Sequence, residues 1–404
     1  MSATHVWAAP EVKLDDLINE ALRNSPEIKA VGAGAQAARH RIGPAQSLAD
    51  PMVMVGYQNY GFDRFSYGES PDAQMMVSAS QLFPFPGKRG LKGEIATDEA
   101  DSLQANYHTA RFKIVSKVAG LYYDLFLAYK SIDLLEDKTA LLIRIEKAAT
   151  ARYSSGMGSQ QEVVMAQTEK YMIREQEEMQ RQKIQSLEGM LNAALGRDSI
   201  MPLGRPEQPA EHTFDYSLSA MIEIAQKNSH NILARQKMVD AAEARVKLAQ
   251  KEYYPDITVN GNYYSRGGSE KDMWSLTTQI NVPLYTETKQ KESLHEAEAL
   301  LEAAKNELEA TKLAISSTIQ DSYSMEQSAE RLMDLYQKGL IPKATQDIEA
   351  ALSGYTTGKV DALTVTSRLK ALIDDETLYW EQYANREKAV IRLTTMSELH
   401  ESGQ

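Results

Sequence analysis

Seven histidines stand at positions 5, 40, 108, 212, 230, 295 and 400, and no two are three or four residues apart. Two imidazoles share a helix face and grip one metal only at that spacing. Cysteine is absent, which removes disulfides, thiolate metal sites and cysteine nucleophiles. Gly32 and Gly34 make a lone GxG inside a helical stretch rather than after a strand. Close helix packing suits that pair better than phosphate binding. No Walker loop is present, so any energy source lies in a partner. The seventeen methionines raise the question of soft-metal ligation. Met52, Met54, Met75 and Met76 fall in one weakly patterned hairpin, with Met75 expected to face lipid. They are read as apolar filler. No catalytic residue, metal site or cofactor is expected, and the chain is not read as an enzyme. Acidic residues along a path remain the means of drawing cations through it, by concentrating counter-ions.

The elements that position these residues are long helices. Aromatics make up only 7% of the 404 residues, and Ala, Leu, Glu, Gln and Lys dominate, as in helical rods. None of the thirteen prolines lies between Pro86 and Pro202, and after Pro283 only Pro342 remains. Proline ends or kinks helices, so these gaps leave room for very long ones. The net charge of −12 argues against nucleic acid as a partner. No apolar run reaches the roughly 18 residues of a membrane-spanning helix. The opening Met1–Pro10 reads either as the stump of a signal peptide, with Val6-Trp7-Ala8 as a small-residue cleavage site, or as a disordered tail.

The chain repeats itself. A shift of 204 residues lays Leu14–Ile28 (LDDLINEALRNSPEI) on Leu218–Ile232 (LSAMIEIAQKNSHNI). The match continues through Ala37-Ala38, Arg41, Ala45-Gln46 and Pro51, opposite Ala241-Ala242, Arg245, Ala249-Gln250 and Pro255. Later, Tyr153–Gly156 (YSSG) meets Tyr355–Gly358 (YTTG). Two copies of one plan imply a duplicated architecture, and the period is too long for a solenoid.

Each copy opens with a helix capped at Asn24-Ser25-Pro26 or Asn228-Ser229 and expected to run to Asp50 or Tyr254. The period then changes to two. Ile257, Val259 and Tyr263 alternate with Thr258, Asn260 and Asn262. Trp274, Leu276, Thr278, Ile280 and Val282 alternate with Ser275, Thr277, Gln279 and Asn281. These runs form a hairpin with one apolar and one polar face. The first copy carries a blurred version in Val53, Val55 and Tyr57, then Met75, Val77 and Ala79. A helix of roughly 65 residues, about 100 Å long at 1.5 Å per residue, follows to near Arg152. Its apolar seam is Ile114, Val118, Leu121, Leu125, Ala128, Ile132 and Leu135. The second copy's seam runs through Leu301, Ala304, Leu308, Thr311, Ile315, Thr318, Ser322, Met325, Ala329, Leu332 and Tyr336, with smaller and more polar occupants. Glycines at 156, 158 and 358 mark short turns from which a second helix returns.

Four strands leave two edges unpaired. In a membrane every backbone group must be satisfied, so the sheet must close. Expected strand lengths of about 9–11 residues, one polar face and aromatics at the strand ends suit a transmembrane barrel. The candidate interface aromatics are Tyr57, Tyr60, Tyr263, Tyr264, Trp274 and Tyr285. Three chains would supply twelve strands around a water-filled lumen.

The duplicated plan of helix, hairpin, long helix, tip and return helix resembles the TolC family of outer-membrane efflux channels, over about Leu14 to Met396. The sharpest motifs are the tips, Arg152–Gln167 (RYSSGMGSQQEVVMAQ) and Tyr355–Val365 (YTTGKVDALTV). The resemblance implies a mainly α fold with a small β part: a long antiparallel α-helical barrel plus four strands per chain, closing as a 12-stranded barrel in a homotrimer. It implies the outer membrane of a Gram-negative bacterium, a large periplasmic part and contact with outer-membrane lipids. It also implies a periplasmic membrane-fusion adaptor and an inner-membrane pump of the RND type as partners. The adaptor-docking tips by position are Gly156, Met157, Gly158, Gly358, Lys359 and Val360. Three joints, Leu82–Arg89 (LFPFPGKR), Gly158–Glu162 (GSQQE) and Gly339–Ala344 (GLIPKA), resemble the cation-efflux branch, which implies heavy-metal cargo.

On this plan residues 1–13 form a disordered tail and 14–196 the first repeat, with its hairpin at 51–83 and tip at 154–159. Residues 197–217 form an equatorial linker. The second repeat is 218–397, with its hairpin at 255–284 and tip at 356–361, and 398–404 form a C-terminal tail. One departure stands out. In the family's best-known member two acidic residues after the second tip narrow the pore, and those positions here hold Thr364 and Ser367. Asp361 stands three residues after Gly358 instead. It is either a pore-constricting ring or a solvated residue at a helix start. Competing readings are a multidrug or type I secretion duct of the same fold, and a soluble coiled-coil scaffold.

Overall fold

The computed structural model describes residues 11–209 and 213–398. Val6–Ala8, His5, His212, His400 and most of both expected tails lie outside the described residues. In chain order the elements are β1 (Glu11–Val12), α1 (Leu14–Asn24), α2 (Pro26–Gln46), β2 (Met52–Gln58), β3 (Gln74–Phe83), α3 (Lys88–Ser154), α4 (Gln160–Leu195) and β4 (Arg205–Pro206). They continue with α5 (Leu218–Asn228), α6 (His230–Lys251), β5 (Asp256–Ser265), β6 (Met273–Asn281), α7 (Lys291–Leu335), α8 (Ile341–Thr356) and α9 (Ala362–Met396).

The chain divides into two compact units that cut across its repeats. One comprises Met1–Ala30, His108–Ser229 and Lys312–Gln404, the other Val31–Tyr107 and His230–Thr311. Each therefore draws on both copies.

The second unit contains the strand sheet. Its order is β2-β3-β5-β6, antiparallel throughout, so β2 and β6 are its edges. β2 has seven residues, shorter than the expected 9–11. Below the sheet, Lys88 is buried. Its Nζ donates to Glu252 Oε2 at 3.2 Å, Tyr254 O at 3.1 Å and Asp256 Oδ1 at 2.9 Å. Asp256 Oδ1 also accepts the Phe85 N–H at 2.8 Å. The motif around Phe85 is thus a strand-to-helix joint built on a lysine whose three protons are all used. The helices flanking the sheet are tied by Arg245 to Glu99 and by Lys237 to Asp98 at 3.0 Å.

The helices of the opening pairs stop at Gln46 and Lys251, three residues or more before the expected ends. Pro44 already removes one ladder N–H from the last turn of α2. The expected long helix of the second copy is continuous from Thr286 to Thr356, but it is not uniform. Wide π-type turns occupy Thr286–Gln290 and Tyr336–Leu340, whereas α3 runs 67 residues uninterrupted. The second turn has a cause. Pro342 has no N–H, and its ring would clash with the carbonyl four residues back. A wider turn, in which the Ile341 N–H reaches Tyr336 O, absorbs that mismatch.

In the first unit the first-copy seam holds: Ile114, Val118, Leu125, Ala128 and Leu135 are buried. In the second copy Leu308, Ile315, Ser322 and Ala329 are buried as expected, and only the alternate seam positions shift by one. Ile319, Glu326 and Met333 are buried, while Met325 is exposed. A pattern search counts Glu as a surface residue, but Glu326 faces Arg386 Nε at 3.9 Å, and Arg386 Nη1 donates to buried Glu387 at 2.6 Å. Residues 11–12, expected as tail, pair in parallel with Arg205–Pro206. Tyr122 secures both segments, its hydroxyl donating to Val12 O at 3.0 Å and to Glu207 O at 2.7 Å. Tyr383 likewise donates to Pro209 O at 2.7 Å. Two buried phenols thus fasten the linker onto the helices.

Candidate functional site

The two glycine turns are built alike. In the first, Gly156 has φ +71°, and the Met157 and Gly158 N–H groups both donate to Arg152 O, at 2.9 and 3.0 Å. In the second, Gly358 has φ +75°, and the Lys359 and Val360 N–H groups donate to Gly354 O at 2.9 and 3.3 Å. The left-handed conformation needs glycine because a Cβ would crowd the following carbonyl. Met157 is exposed at the first turn.

The Arg152 side chain joins the turns. Arg152 Nη1 donates to Tyr355 O at 2.9 Å and Nη2 to Met157 O at 3.1 Å. Its guanidinium lies 5.0 Å from the centre of the Tyr355 ring. The Tyr355 hydroxyl donates to Glu162 Oε2 at 2.8 Å. Glu162 Oε2 is also 3.8 Å from Arg152 Nε, an ion-pair distance too long for a hydrogen bond. Tyr355 is fully buried, and burial, then the hydrogen bond to Glu162, pushes its phenol up to about 12. Around it Leu142, Ile145, Ala149, Ala166, Ile348 and Val365 form an apolar cluster drawn from α3, α4, α8 and α9. All four helices at the tip therefore share one core and one polar clasp.

Sequence reasoning placed Arg152, Glu162 and Tyr355 inside tip motifs but gave them no role. Tyr153 and Tyr355 coincide in the repeat, yet Tyr153 is 49% exposed and Tyr355 is buried. Repeat symmetry concealed that difference. The available signal was charge: Arg152 and Glu162 flank the first turn with opposite signs.

Asp361 is the N-cap of α9, its Oδ1 accepting the Thr364 N–H at 2.8 Å. Hydrogen bonds from Thr364 hold its carboxyl below the usual carboxylate range. The Ser367 hydroxyl donates to Thr364 O at 2.9 Å. Asp361, Thr364 and Ser367 are spaced three apart and lie along one stripe of the helix start.

On the sheet, register assigns the aromatics. Val55, Val77, Tyr263 and Trp274 form one cross-strand row, and Tyr57 shares their face. Tyr264 lies on the opposite face, since successive strand residues alternate. It cannot share a lipid-facing girdle with Tyr263, which corrects that expectation. Tyr60 lies in the loop after β2, and Tyr285 follows β6 at the helical end; both are exposed. Among the described residues no helix is long and apolar enough to cross a membrane. No cluster of three or more His, Asp or Glu among them is placed to hold a metal ion.

The family model for outer membrane efflux proteins matches residues 17–197 and 221–397, once on each copy. The chain belongs to the outer membrane efflux protein family. It is 22% identical to the outer membrane protein TolC of Vibrio cholerae over 382 residues, covering 90% of this chain and 85% of that protein. The structure of VceC from Vibrio cholerae superposes with a TM-score of 0.80 at 20% identity, covering 95% of both chains. The CmeC outer membrane channel of Campylobacter jejuni gives 0.82 at 12% identity, covering 95% of this chain and 85% of that one. This efflux protein is thus an outer-membrane channel of the TolC fold, mainly helical with a small sheet.

Proposed function

We propose that the protein is a passive exit duct, one chain of a homotrimer that carries heavy-metal cations to the exterior from a periplasmic adaptor and an RND-type inner-membrane pump. The observation that carries this reading is the sheet, with faces of opposite character and two unpaired edges. Inside a bilayer the β6 edge needs a partner, and β2 of the next copy continues the antiparallel alternation. Three copies close twelve strands around a lumen lined by the Ser, Thr and Asn face. The helical repeats extend the path into the periplasm.

Gly156, Met157, Gly158, Gly358, Lys359 and Val360 dock the adaptor, since both turns are exposed and present the Met157 and Lys359 side chains beside open glycine backbone. Opening is a splaying of the tip helices, resisted by the clasp of Arg152, Glu162 and Tyr355. Asp361, Thr364 and Ser367 line the constriction. The cation cargo rests on the three joint motifs, the net charge of −12 and the anionic Asp361. Planar-bilayer recordings of detergent-extracted protein test the reading. Large cation-selective steps, suppressed by divalent cations on the tip side, are expected. A water-soluble monomer that never inserts overturns the duct, and anion-selective steps overturn the cation cargo.

A further inference from the structure

Five methionines lie in the strands of the sheet, and the strand register separates them. Gly56, Met76, Tyr264 and Met273 pair in one row across β2, β3, β5 and β6. The next row is Met54, Ser78, Asn262 and Ser275, and the one after is Met52, Ser80, Asn260 and Thr277. Each row is two residues from the last, so all three stand on one face. That face holds four of the five thioethers, and every other side chain in these rows is a hydroxyl, an amide or the phenol of Tyr264. No carboxylate or ammonium stands in these three rows; Asp256 lies on the same face two rows beyond Asn260.

The opposite face holds Val53, Val55, Val77, Ala79, Tyr263, Trp274 and Leu276, with Met75. Methionine acting as apolar filler belongs there. Finding Met52, Met54, Met76 and Met273 among Ser, Thr and Asn calls for another explanation. Met76 has room because its neighbour is Gly56, where a Cβ would stand 3.4 Å from Met76 Cε. Met52, Met54 and Met273 are exposed.

A thioether is an uncharged, polarisable donor that prefers soft ions such as Cu(I) and Ag(I) and ignores hard ones. Directly paired side chains are about 5 Å apart and diagonal ones about 7–8 Å. Met54 and Met76 are diagonal neighbours, while Tyr264 separates Met76 from Met273. Such spacing gives a series of weak one- or two-sulfur stations rather than one tight cage. Conduction needs that kind of binding, strong enough to enter and weak enough to leave. We infer that Met52, Met54, Met76 and Met273 form a thioether track for soft monovalent metal ions along the polar face of the sheet. The inference rests on that face lining the lumen.

Residue-resolved methionine oxidation of the detergent-purified full chain, read by mass spectrometry with and without silver nitrate, tests it. A water-borne oxidant should first modify Met52, Met54, Met76 and Met273 faster than Met75. Silver should then slow oxidation of those four at least about tenfold, leaving Met75 and the tip residue Met157 unchanged. Potassium nitrate at the same concentration should protect none. A variant with all four changed to Leu, which conserves volume, should lose the bound silver while extracting from membranes as before. If Met75 is the fast residue without silver, the faces are reversed and the duct reading fails with them. If the four are fast but silver protects none, or protects Met157 equally, the track is overturned and the duct stands. Should the quadruple variant fail to assemble, Met54→Leu and Met76→Leu alone should each lower the bound silver, and unchanged binding in both overturns the proposal.

Discussion

The phenol of Tyr355, on α8, donates a 2.8 Å hydrogen bond to the carboxylate of Glu162, on α4, with the Arg152 guanidinium at 5.0 Å over the same ring. The two repeats thus grip each other next to their turns. A hydrogen bond to a charged acceptor contributes about 1.5–3 kcal/mol, and this one is partly buried. Tyr355→Phe keeps the ring and removes the bond. Amide hydrogen exchange at residues 353–360 should quicken by about tenfold or more, since 1.4 kcal/mol is a factor of ten. Exchange at unchanged rates would remove the clasp from the opening mechanism.

The same phenol gives a pH signature. Burial first, and the Glu162 bond second, raise it from 10.0 to about 12. The folded chain holds this proton more tightly than the unfolded chain does. Its contribution is therefore complete below pH 10 and is lost as the pH rises through about 12. The chain has no cysteine, so Met157→Cys offers a unique spin-label site at the exposed turn. The label's mobility should stay flat from pH 7 to 9.5 and rise between 10 and 12. In the Tyr355→Phe background the label should be mobile at neutral pH and show no alkaline step.

Periodicity and proline placement made much of this fold legible. The alternation in Ile257–Tyr263 and Trp274–Ile280 gave both strands of one hairpin, and the proline gap gave α3. What escaped was set by partners distant in the chain. Glu326 lies on a buried seam because Arg386 faces it from α9, and no local pattern records that. The π-type turn at Tyr336–Leu340 depends on how one helix accommodates Pro342, and hydrophobic period does not register it. Tyr355 and Tyr153 share a motif and differ in environment because only Tyr355 packs into the apolar cluster of α3, α4, α8 and α9. Alternation alone put Met52, Met54 and Met76 opposite Met75, but which methionines are neighbours across strands is fixed only by the pairing register.

The joint at Lys88 should respond strongly to substitution. Its ammonium is buried, and its three donors end on Glu252, Tyr254 O and Asp256. Breaking a buried pair costs about 3–5 kcal/mol because the remaining charge loses its partner. Glu252 is half-exposed and can rehydrate, which places Lys88→Met near about 3 kcal/mol. The temperature at which the detergent-purified oligomer dissociates should fall clearly. Adding Asp256→Asn should restore part of the loss, because an amide needs no counter-charge. A double variant no more stable than Lys88→Met would mean that packing of the lysine stem, rather than charge, holds the joint.

Asp361 serves α9 as an N-cap, and the proposed duct also uses its charge. Two substitutions separate these roles. Asparagine caps a helix about as well as aspartate, whereas alanine does not. Asp361→Asn should therefore leave helix protection at residues 362–366 intact, and Asp361→Ala should weaken it. If the three carboxylates ring the pore, both variants should move the reversal potential under a salt gradient towards zero, and Asn as much as Ala. If Asp361 only caps the helix, the Asn variant should keep the parent's cation selectivity. Acid provides an independent check. The Thr364 hydrogen bonds lower this carboxyl below its ordinary 3.8, so its contribution is present above that value and is lost as the pH falls through the lower folded one. Cation selectivity due to Asp361 should persist unchanged down to about pH 4. A loss of selectivity between pH 7 and 5 would assign it to other groups.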